Sequence, residues 1–499
     1  MQAEEGECPA VARFLEVLRY AAAPGLHSGS EDQTIEHQTP TYSILGAARS
    51  GLAAARLLRG EGARVFVSDA RPAVDVGETI RLLDEMGAAY EFGGHTDRVL
   101  DADVLVLSPG VPDTIPIVRR AGERSMTITN EIEIAWRRCR GRVVAITGTN
   151  GKTTTAELTG HILRTAGLRT YVAGNVGLPF SEIALDADGQ SVVVLETSSF
   201  QLEHIAKLKP DVAVVLNVTP DHLDRYASFD AYREAKFRIT MNQDAGDALI
   251  YNADDAGLRA LPGRSAARSL GFSIRGGIAE GAFQRNEMLV IRRRNGGDAI
   301  MEENLMRVEE IGIRGPHNLY NAMAAALSAR FLGVKNDDIR TGLATFAGVP
   351  HRLEPVRTLD GVRYVNDSKA TNVDSLWYAL SSFAEPVVLI VGGKSKKNRY
   401  DAVVPLIAAH VKAAVLIGAA ADEMEEAFAP HTRIVRAGYS MEDAVVLARA
   451  EAAPGDVVLL SPACASFDMF DNYEHRGEVF KRLVNALVPS SVASVPAAG

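Results

Sequence analysis

The sequence predicts an α/β protein made of three blocks in series, each with parallel strands and crossover helices. Two observations support this prediction. Strand-sized apolar runs alternate with glycine turns and with stretches of helical periodicity, which is typical of parallel strands joined by helices. At 499 residues, the chain is also too long for one hydrophobic core and has the length of about three domains.

Each block contains several candidate strands. The first block begins at Tyr42 with YSILG, RVFVSD and DVLVLSPG, and the second begins near Val143 and includes SVVVLET and DVAVVLNV. The third contains VRYVNDSKA, VVLIVGG, AVLIGAA and DVVLLSPACAS. Residues 263–310 have weak periodicity and stay unassigned. Residues 1–40 are expected to form an extension outside the main fold, and residues 490–499 a disordered tail.

Composition and charge argue against several classes of protein. The formal net charge is −10 and no basic block stands out, so we expect no nucleic-acid partner. The three cysteines are scattered, which argues against a disulfide framework and a zinc site. The apolar runs are too short to span a bilayer, and the N-terminus lacks the basic region of a secretory signal. We therefore expect a cytoplasmic protein without a membrane partner.

The string VVAITGTNGKTTT at 143–155 predicts a site for a nucleoside triphosphate. Glycines let the backbone approach phosphate oxygens, and the following helix presents its positive end. Lys152 would face the β- and γ-phosphates, and Thr153 would offer a hydroxyl to Mg²⁺. Ile146 occupies the position of the usual first glycine, so a glycine-rich turn with an exposed lysine remains the alternative.

Further candidates follow strands of the second block, where ligands of parallel sheets bind. Glu196 ends SVVVLE and is a candidate Mg²⁺ ligand, with helix capping as the alternative. His222 lies in the polar turn TPDHLD, where a solvated loop histidine is the alternative. Lys236 lies in DAYREAKFRI, a predicted helix. Its residue type alone indicates a surface lysine, because an unmodified lysine has the wrong charge for a metal ligand.

The first and third blocks contribute weaker patterns. The turn after the first strand resembles a dinucleotide fingerprint in which Ala48 replaces the middle glycine, so a nicotinamide oxidoreductase is a minor alternative. In the third block, the Asp-Ser-Lys cluster at 367–369 and the lysines of GGKSKKNRYD at 392–401 suggest anion sites. Helix capping and a solvated charge run are the alternatives. Trp377 is expected in the core.

Nine strings, in order along the chain, resemble the Mur ligases. They are GTNGKTT, GNVGLP, LETSSFQLE, LNVTPDHLDRY, YREAKFRI, GPHNLYNA, GVPHRLE, NDSKATN and LLSPACASFD. The resemblance covers roughly residues 41–489. SSFQLE and NDSKATN favour the D-glutamate-adding branch over the branches that add alanine, diaminopimelate or a dipeptide, and over folylpolyglutamate synthase.

The resemblance implies an ATP-dependent, amide-forming ligase of the cytoplasmic stage of peptidoglycan synthesis. It would join D-glutamate to UDP-N-acetylmuramoyl-L-alanine through an acyl phosphate, as a monomer, with closure of the third domain over the site. It implies a Rossmann-like domain for the UDP substrate at 41–132. A central P-loop ATPase would follow at 133–348, and a Rossmann-like amino-acid domain at 349–489.

Site residues are likewise implied by the resemblance. The UDP substrate would be bound by Arg49, Ser50, Asp69, Ala70, Arg71, Ser108, Pro109, Gly110, Asn175 and His222. ATP would be bound by Gly148, Thr149, Asn150, Gly151, Lys152, Thr153, Thr154, Asn318, Asn321, Arg352 and Asp367. D-glutamate would be bound by Lys369, Thr371, Lys396, Ser466, Phe467 and Tyr473, although the local spacing does not separate Lys396 from Lys397.

The resemblance also implies a metal site and a modified lysine. Mg²⁺ would be held by Thr153, Glu196, His222 and Lys236, the last carboxylated by CO₂ to a carbamate. The catalytic residues would be Lys152, Glu196, His222, Lys236 and Arg352.

Overall fold

The computed structural model describes residues 40–221, 225–294, 300–395 and 399–489. The chain forms two compact units. The first comprises the described residues up to Glu310 together with Tyr320–Ala344, and the second comprises Ile311–Leu319 and the described residues from Thr345 onward. Residues 1–39 of the extension predicted at 1–40, and the tail predicted at 490–499, lie outside the described residues.

The first sheet has five parallel strands in the order β3-β2-β1-β4-β5. The strands are β1 (Thr41–Leu45), β2 (Arg64–Asp69), β3 (Ala89–Phe92), β4 (Val104–Leu107) and β5 (Thr127–Asn130). The helices are α1 (Arg49–Gly60), α2 (Gly77–Glu85), α3 (Pro116–Glu123) and α4 (Glu131–Trp136). The strand order reverses between β1 and β4, which is the point where such sheets bind ligands.

The second sheet has nine strands in the order β14-β13-β12-β11-β10-β9-β6-β8-β7. The strands are β6 (Arg142–Thr147), β7 (Thr170–Gly174), β8 (Val192–Glu196), β9 (Val212–Val215), β10 (Ala248–Asn252), β11 (Arg268–Ser273), β12 (Gly281–Arg285), β13 (Met288–Arg294) and β14 (Ile300–Arg307). The unassigned region thus supplies four strands, and the pairs β12–β13 and β13–β14 are antiparallel.

Six helices accompany and follow this sheet. They are α5 (Lys152–Thr165), α6 (Phe180–Ile183), α7 (Ser199–Glu203), α8 (Phe229–Phe237), α9 (Pro316–Phe331) and α10 (Asn336–Thr345). The central strands β8 and β9 are buried along their whole length, as expected for β-branched runs covered on both faces. Glu196 therefore lies at the end of one buried strand, and a polar loop follows the other after Val215.

The third sheet has six strands in the order β15-β16-β20-β17-β18-β19. The strands are β15 (Glu354–Leu359), β16 (Val362–Asn366), β17 (Val387–Gly392), β18 (Val411–Ile417), β19 (Arg433–Gly438) and β20 (Val457–Leu460). The helices are α11 (Val373–Leu380), α12 (Val404–His410), α13 (Ala421–Phe428), α14 (Met441–Glu451) and α15 (Tyr473–Ala486). Only β15, at the edge, is antiparallel to its neighbour.

The predicted α/β class is confirmed, since each sheet is mostly parallel and strands alternate with helices. The core prediction for Trp377 is wrong, because this residue is 39% exposed. Among the described residues, no helix combines the length and apolar character needed to cross a bilayer.

Candidate active site

The glycine-rich loop joins β6 to α5 and needs a glycine at its last position. Gly151 has φ +87°, a left-handed conformation that side chains rarely adopt. A Cβ atom here would lie 2.5 Å from Oδ1 of Asn321. Asn321, predicted in the ATP site, is buried and also accepts a hydrogen bond from the Thr155 hydroxyl at 3.1 Å. The loop and α9 therefore meet too closely for any side chain at 151.

The loop is held in shape by residues just after β9. The Asn150 N–H donates to Asn217 Oδ1 (2.8 Å), and Asn217 Nδ2 donates back to the Asn150 carbonyl (3.0 Å). The Thr149 N–H donates to the Asn217 carbonyl, and Thr149 Oγ1 lies 3.2 Å from the Tyr232 hydroxyl. Asn217 is not among the predicted site residues, although its position shortly after a buried strand was a usable signal.

Two lysines converge on one carbonyl oxygen of this loop. Lys152 Nζ donates to the carbonyls of Gly148 (2.9 Å) and Thr149 (2.8 Å). Lys236 Nζ, on α8, donates to the same Gly148 carbonyl at 3.0 Å. Lys236 is 1% exposed, and its Nζ lies 4.5 Å from the ring centroid of Tyr232. The interpretation of Lys236 as a surface lysine is therefore wrong.

The surroundings of Lys236 disfavour its charged form. Burial, and then the positive charge of Lys152, hold the pKa of Lys236 well below its usual value. Asp221 and Glu196 act in the opposite direction but do not outweigh them. The site therefore favours an uncharged, nucleophilic amine at this position.

Glu196 and Asn175 are brought together at the ends of β8 and β7. Glu196 is 3% exposed, and its Oε1 accepts a hydrogen bond from Asn175 Nδ2 at 3.1 Å. The capping alternative for Glu196 is wrong, because Ser198 caps α7 in a capping box with Gln201. Thr153 is also buried, in the first turn of α5. Carboxylate and hydroxyl oxygens are the ligands that Mg²⁺ prefers.

Three further residues were predicted for the ATP, metal or UDP-substrate sites. His222 lies outside the described residues. Asn318 is buried on α9, in the second unit, and its Nδ2 donates to the Arg314 carbonyl at 2.8 Å. Thr154 is buried in α5 beside Thr153.

In the first sheet, Asp69 organises the loop after β1. Its carboxylate accepts the Ala47 N–H (2.6 Å), the Arg71 N–H (2.8 Å) and the Arg71 guanidinium (3.0 and 2.9 Å). Burial acts to raise the pKa of Asp69, but the hydrogen bonds from Arg71 and Ala47 lower it to about 2. Asp69 is therefore a carboxylate anion, and its hydrogen bonds connect the loop after β1 with the loop after β2.

The remaining candidates near this sheet line the same strand ends. Ser108 Oγ donates to the Gly46 carbonyl at 3.1 Å, and Arg49 reaches the Gly177 carbonyl of the second sheet's loops at 3.2 Å. The Pro109 carbonyl accepts from Arg225 at 3.1 Å. Ser50 lies in α1, and Ala70 and Gly110 are exposed in the loops. Loops of the first two sheets therefore meet within the first unit.

In the second unit, Asp367 lies buried beside Arg352. Asp367 is 1% exposed, and its carboxylate accepts the Leu353 N–H at 3.2 Å and the Ser461 hydroxyl at 2.9 Å. Burial raises the pKa of Asp367 to about 6, against the opposing charge of Arg352. These two predicted ATP residues are thus electrostatic neighbours.

The predicted amino-acid residues cluster after β16 and β20. Lys369 Nζ lies 5.2 Å from the Tyr473 ring centroid, and the Lys369 N–H donates to the His351 carbonyl at 3.0 Å. The Thr371 N–H donates to the Lys369 carbonyl. Ser466 is buried and Phe467 is 68% exposed. Lys396 and Lys397 lie outside the described residues.

One group of carboxylates and imidazole has metal-ligand spacing within the described ranges. It consists of Asp113, Glu203 and His204, at the junction of the first two sheets' loops. Its members are already paired, His204 with Asp113 at 3.0 Å and Glu203 with Arg225 at 3.6 Å. The neighbouring guanidinium disfavours a cation here, so this group is distinct from the predicted Mg²⁺ site.

Three family models match the chain, and all three describe domains of the same enzyme family. The Mur ligase middle domain matches residues 146–329, the Mur ligase glutamate ligase domain matches 351–464, and the MurD N-terminal domain matches 43–115. The chain belongs to the Mur ligase family.

Within that family, its relatives share one name. A protein of Salinibacter ruber named UDP-N-acetylmuramoylalanine–D-glutamate ligase is 48% identical over 89% of this chain and 98% of its own length. A protein of the same name from Alkaliphilus metalliredigens is 41% identical over 89% of this chain and 97% of its own. The family resemblance of the sequence analysis is confirmed.

Solved structures share the fold at low sequence identity. The UDP-N-acetylmuramate-alanine ligase of Thermotoga maritima aligns with a TM-score of 0.56 and 18% identity, covering 89% of this chain and 99% of that one. The MurF ligase of the same organism, solved with ADP, aligns with a TM-score of 0.52 and 20% identity, covering 78% and 91%. At such identities the likeness concerns the fold alone.

Proposed function

We propose that this protein joins D-glutamate to UDP-N-acetylmuramoyl-L-alanine, with cleavage of ATP to ADP and phosphate. The names of its relatives, matched over nearly their whole length, support the choice of substrates. One structural observation carries the chemistry: Lys152 and Lys236 donate to the same Gly148 carbonyl in a glycine-rich loop. The amine of Lys152, at the start of the helix that follows this loop, suits anionic phosphate groups, whereas the buried Lys236 amine beside it is uncharged.

The first role of the site is to bring two anions together. A substrate carboxylate must attack the γ-phosphorus of ATP, forming an acyl phosphate and releasing ADP. Lys152 neutralises charge on the β- and γ-phosphates, and the loop N–H groups orient them. Mg²⁺ is the expected cofactor. It would be held by oxygens of Thr153 and Glu196 and by an imidazole nitrogen of His222, and it would neutralise phosphate charge when bound. Arg352 and Asp367 are assigned to the same ATP site.

The metal site also needs an oxygen ligand from Lys236, which the unmodified amine cannot supply. We assign Lys236 as a carbamate: its uncharged amine attacks CO₂, a C–N bond forms and one proton is released. Two features support this assignment, the low pKa of Lys236 and its buried position beside Glu196 and Lys152. The product carries a negative charge and two oxygens, which suit a hard divalent cation.

The second step is amide formation. The uncharged D-glutamate amine attacks the acyl carbon, a C–N bond forms, phosphate leaves with the electron pair of the acyl–oxygen bond, and the nitrogen releases one proton to solvent. Lys369, Thr371, Lys396, Ser466, Phe467 and Tyr473 are assigned to D-glutamate. The UDP substrate is assigned to Arg49, Ser50, Asp69, Ala70, Arg71, Ser108, Pro109, Gly110, Asn175 and His222. Charge neutralisation and positioning each lower such barriers by several kcal/mol.

The test supplies the protein with ATP, Mg²⁺ and UDP-N-acetylmuramoyl-L-alanine, and follows phosphate release across a panel of amino acids. D-glutamate should stimulate release, whereas L-glutamate, L-alanine, L-lysine and diaminopimelate should not. Omission of the UDP substrate is the control for background ATP hydrolysis. Equal stimulation by another amino acid, or none by D-glutamate, would overturn the proposal.

The cellular setting follows from the substrates. A ligase that consumes ATP and a nucleotide-linked sugar works in the cytoplasm, and we assign this protein there as a monomer. Cell fractionation and light scattering test these assignments, with 53.5 kDa as the expected mass.

A further inference from the structure

Arg476, on α15, has a fully buried guanidinium group, and it is not one of the residues assigned to the active site. It is 0% exposed, and burial lowers its pKa to about 10. Its acceptors are neutral. Nε donates to Ser368 Oγ (3.0 Å), and the terminal nitrogens donate to the carbonyls of Ser368 (2.8 Å), Cys464 (3.2 Å) and Ala465 (3.4 Å). Burying a charge in this way is costly unless the hydrogen bonds are well placed.

These acceptors belong to loops that follow neighbouring strands. Ser368 follows β16, and Cys464 and Ala465 follow β20, which pairs with β16. A third loop, after β17, reaches the same point because the Lys394 N–H donates to the Ala465 carbonyl at 2.9 Å. At Gly393, a Cβ atom would lie 2.4 Å from that carbonyl. Three strand ends therefore converge on one guanidinium.

The same hydrogen-bond network also contacts the first residue of α15. Ser368 Oγ accepts from Arg476 and donates to the Tyr473 carbonyl at 2.8 Å, so both ends of the first helical turn contact one residue. Such a linked network fixes its members more strongly than separate hydrogen bonds do.

The loops held by Arg476 carry the residues assigned to D-glutamate. Lys369 directly follows Ser368, Ser466 directly follows Ala465, and Tyr473 lies one helical turn before Arg476. A shift of one loop against the other would change the spacing between the Lys369 and Ser466 side chains. Displacements of about 1 Å in such sites cost up to roughly a hundredfold in rate.

We propose that Arg476 is a positioning residue that sets the spacing of the amino-acid site by joining the loops after β16 and β20. The proposal rests on the proposed function. An arginine is needed because the three nitrogens of its planar guanidinium can donate to two loops at once, whereas a lysine has all three of its donor hydrogens on one nitrogen.

The test compares Arg476→Lys with a matched control, Arg357→Lys. Arg357 also donates to backbone carbonyls of this unit, at Val484 (3.4 Å), Asn485 (3.0 Å) and Leu487 (2.9 Å), at the C-terminal end of α15. Steady-state kinetics would give the KM for D-glutamate, ATP and the UDP substrate in full-length protein, with thermal unfolding measured alongside.

Arg476→Lys should raise the KM for D-glutamate by about tenfold or more, the effect of losing a hydrogen bond to a charged group, with the other KM values within about twofold. Arg357→Lys should lower the unfolding midpoint and leave the KM for D-glutamate within about twofold. An unchanged KM in Arg476→Lys, or an equal rise in the control, would overturn the proposal.

A milder variant covers the case in which Arg476→Lys does not fold. Ser368→Ala removes the hydroxyl that joins Arg476 to Tyr473 and should raise the KM for D-glutamate by about threefold to tenfold. An unchanged value in folded Ser368→Ala would then overturn the proposal. Failure of the proposed function is distinguishable, because the wild-type protein itself would then show no D-glutamate-dependent phosphate release.

Discussion

A single residue, Lys236, shows how far a side chain's role depends on what packs around it. The helix containing Lys236 has the polar composition of a surface helix, yet the Nζ is buried against Gly148 and the Tyr232 ring. No local pattern in YREAKFRI distinguishes a buried lysine from an exposed one. The family resemblance, rather than residue physics, therefore identified it.

Replacement of Lys236 by alanine should lower ligase activity by roughly a thousandfold, because the proposed carbamate ligand of the metal and its charge would be lost. Short carboxylic acids such as acetate should restore part of the rate by supplying the missing oxygens. Initial rates with and without acetate test this. The exposed Lys335 offers a control, since Lys335→Ala should stay within about twofold of wild type. Wild-type turnover by Lys236→Ala would remove the carbamate from the mechanism.

Gly151 allows a second test at the residue scale, of whether the contact between the glycine-rich loop and Asn321 matters for ATP binding. This residue has a left-handed backbone conformation and no space for a Cβ atom. Gly151→Ala should destabilise the protein by more than about 1 kcal/mol and raise the KM for ATP, since a Cβ would meet Asn321 Oδ1.

Gly167 is the matched control for that substitution. It has φ +78°, and a Cβ atom added there would meet no other atom within 4 Å, so Gly167→Ala adds backbone strain alone. Its unfolding midpoint should fall by only a few degrees and its KM for ATP should not change. Equal KM values for ATP in the two variants would show that the contact with Asn321 has no influence on the loop.

At the scale of elements, the strands of the region 263–310 and two edge strands of the third sheet were parts of the fold that the sequence did not predict. The described residues of this region form β11 to β14, with charged residues at many positions of β13 and β14. Strand β14 lies at the sheet edge and is largely exposed, and β11 to β13 mix buried with exposed or polar positions. None of the four therefore has the continuous apolar run that marks a buried parallel strand. The same reason explains why β15 and β19 were missed, whereas β8, β9 and β17 were found.

Helix α4 contains a buried carboxyl group, Glu131, that should make stability depend on pH. Its Oε1 accepts the Ser181 N–H at 2.5 Å, and burial raises its pKa to about 7. The native state therefore holds this proton up to about pH 7, whereas the unfolded chain releases it near pH 4.5. The unfolded state binds fewer protons in this window, so the free energy of unfolding falls as pH rises, by about 3 kcal/mol in total.

Glu131→Gln should flatten this dependence, because glutamine keeps the acceptor and has no proton to release. Urea unfolding followed by tryptophan fluorescence at pH 5 and pH 7.5 measures it, and Trp136 lies in the same helix. The exposed Glu123 provides the control. An equal pH dependence in wild type and Glu131→Gln would assign the effect to another group.

At the scale of the whole molecule, the sequence predicted the three sheets and the strand ends, and it missed contacts between segments that are far apart in the chain. Glu196 and Asp367 were found because polar residues after buried strands are visible in the sequence. Arg225 and Arg476 were not, because each acts through hydrogen bonds to backbone carbonyls of distant loops. Such pairings depend on the tertiary fold and leave no spacing signal in the chain.

Nucleotide binding should stabilise the folded protein as a whole. A non-hydrolysable ATP analogue with Mg²⁺, at about a hundred times its Kd, should raise the free energy of unfolding by about 3 kcal/mol. Lys152→Ala should lose most of this gain, because the phosphates lose their nearest cation, whereas Lys335→Ala should keep it. Thermal unfolding with increasing analogue measures both. An equal shift in wild type and Lys152→Ala would exclude Lys152 from the phosphate site.

The hydrogen bonds that Arg476 makes to the loops after β16 and β20 also limit which substitutions this sequence can accept during evolution. Three of its four acceptors are backbone carbonyls, which every amino acid provides. Substitutions between small residues at positions 464 and 465 therefore leave these hydrogen bonds intact. The hydroxyl of Ser368 is the one acceptor that mutation can delete, so we expect positions 368 and 476 to change together across descendants of this gene.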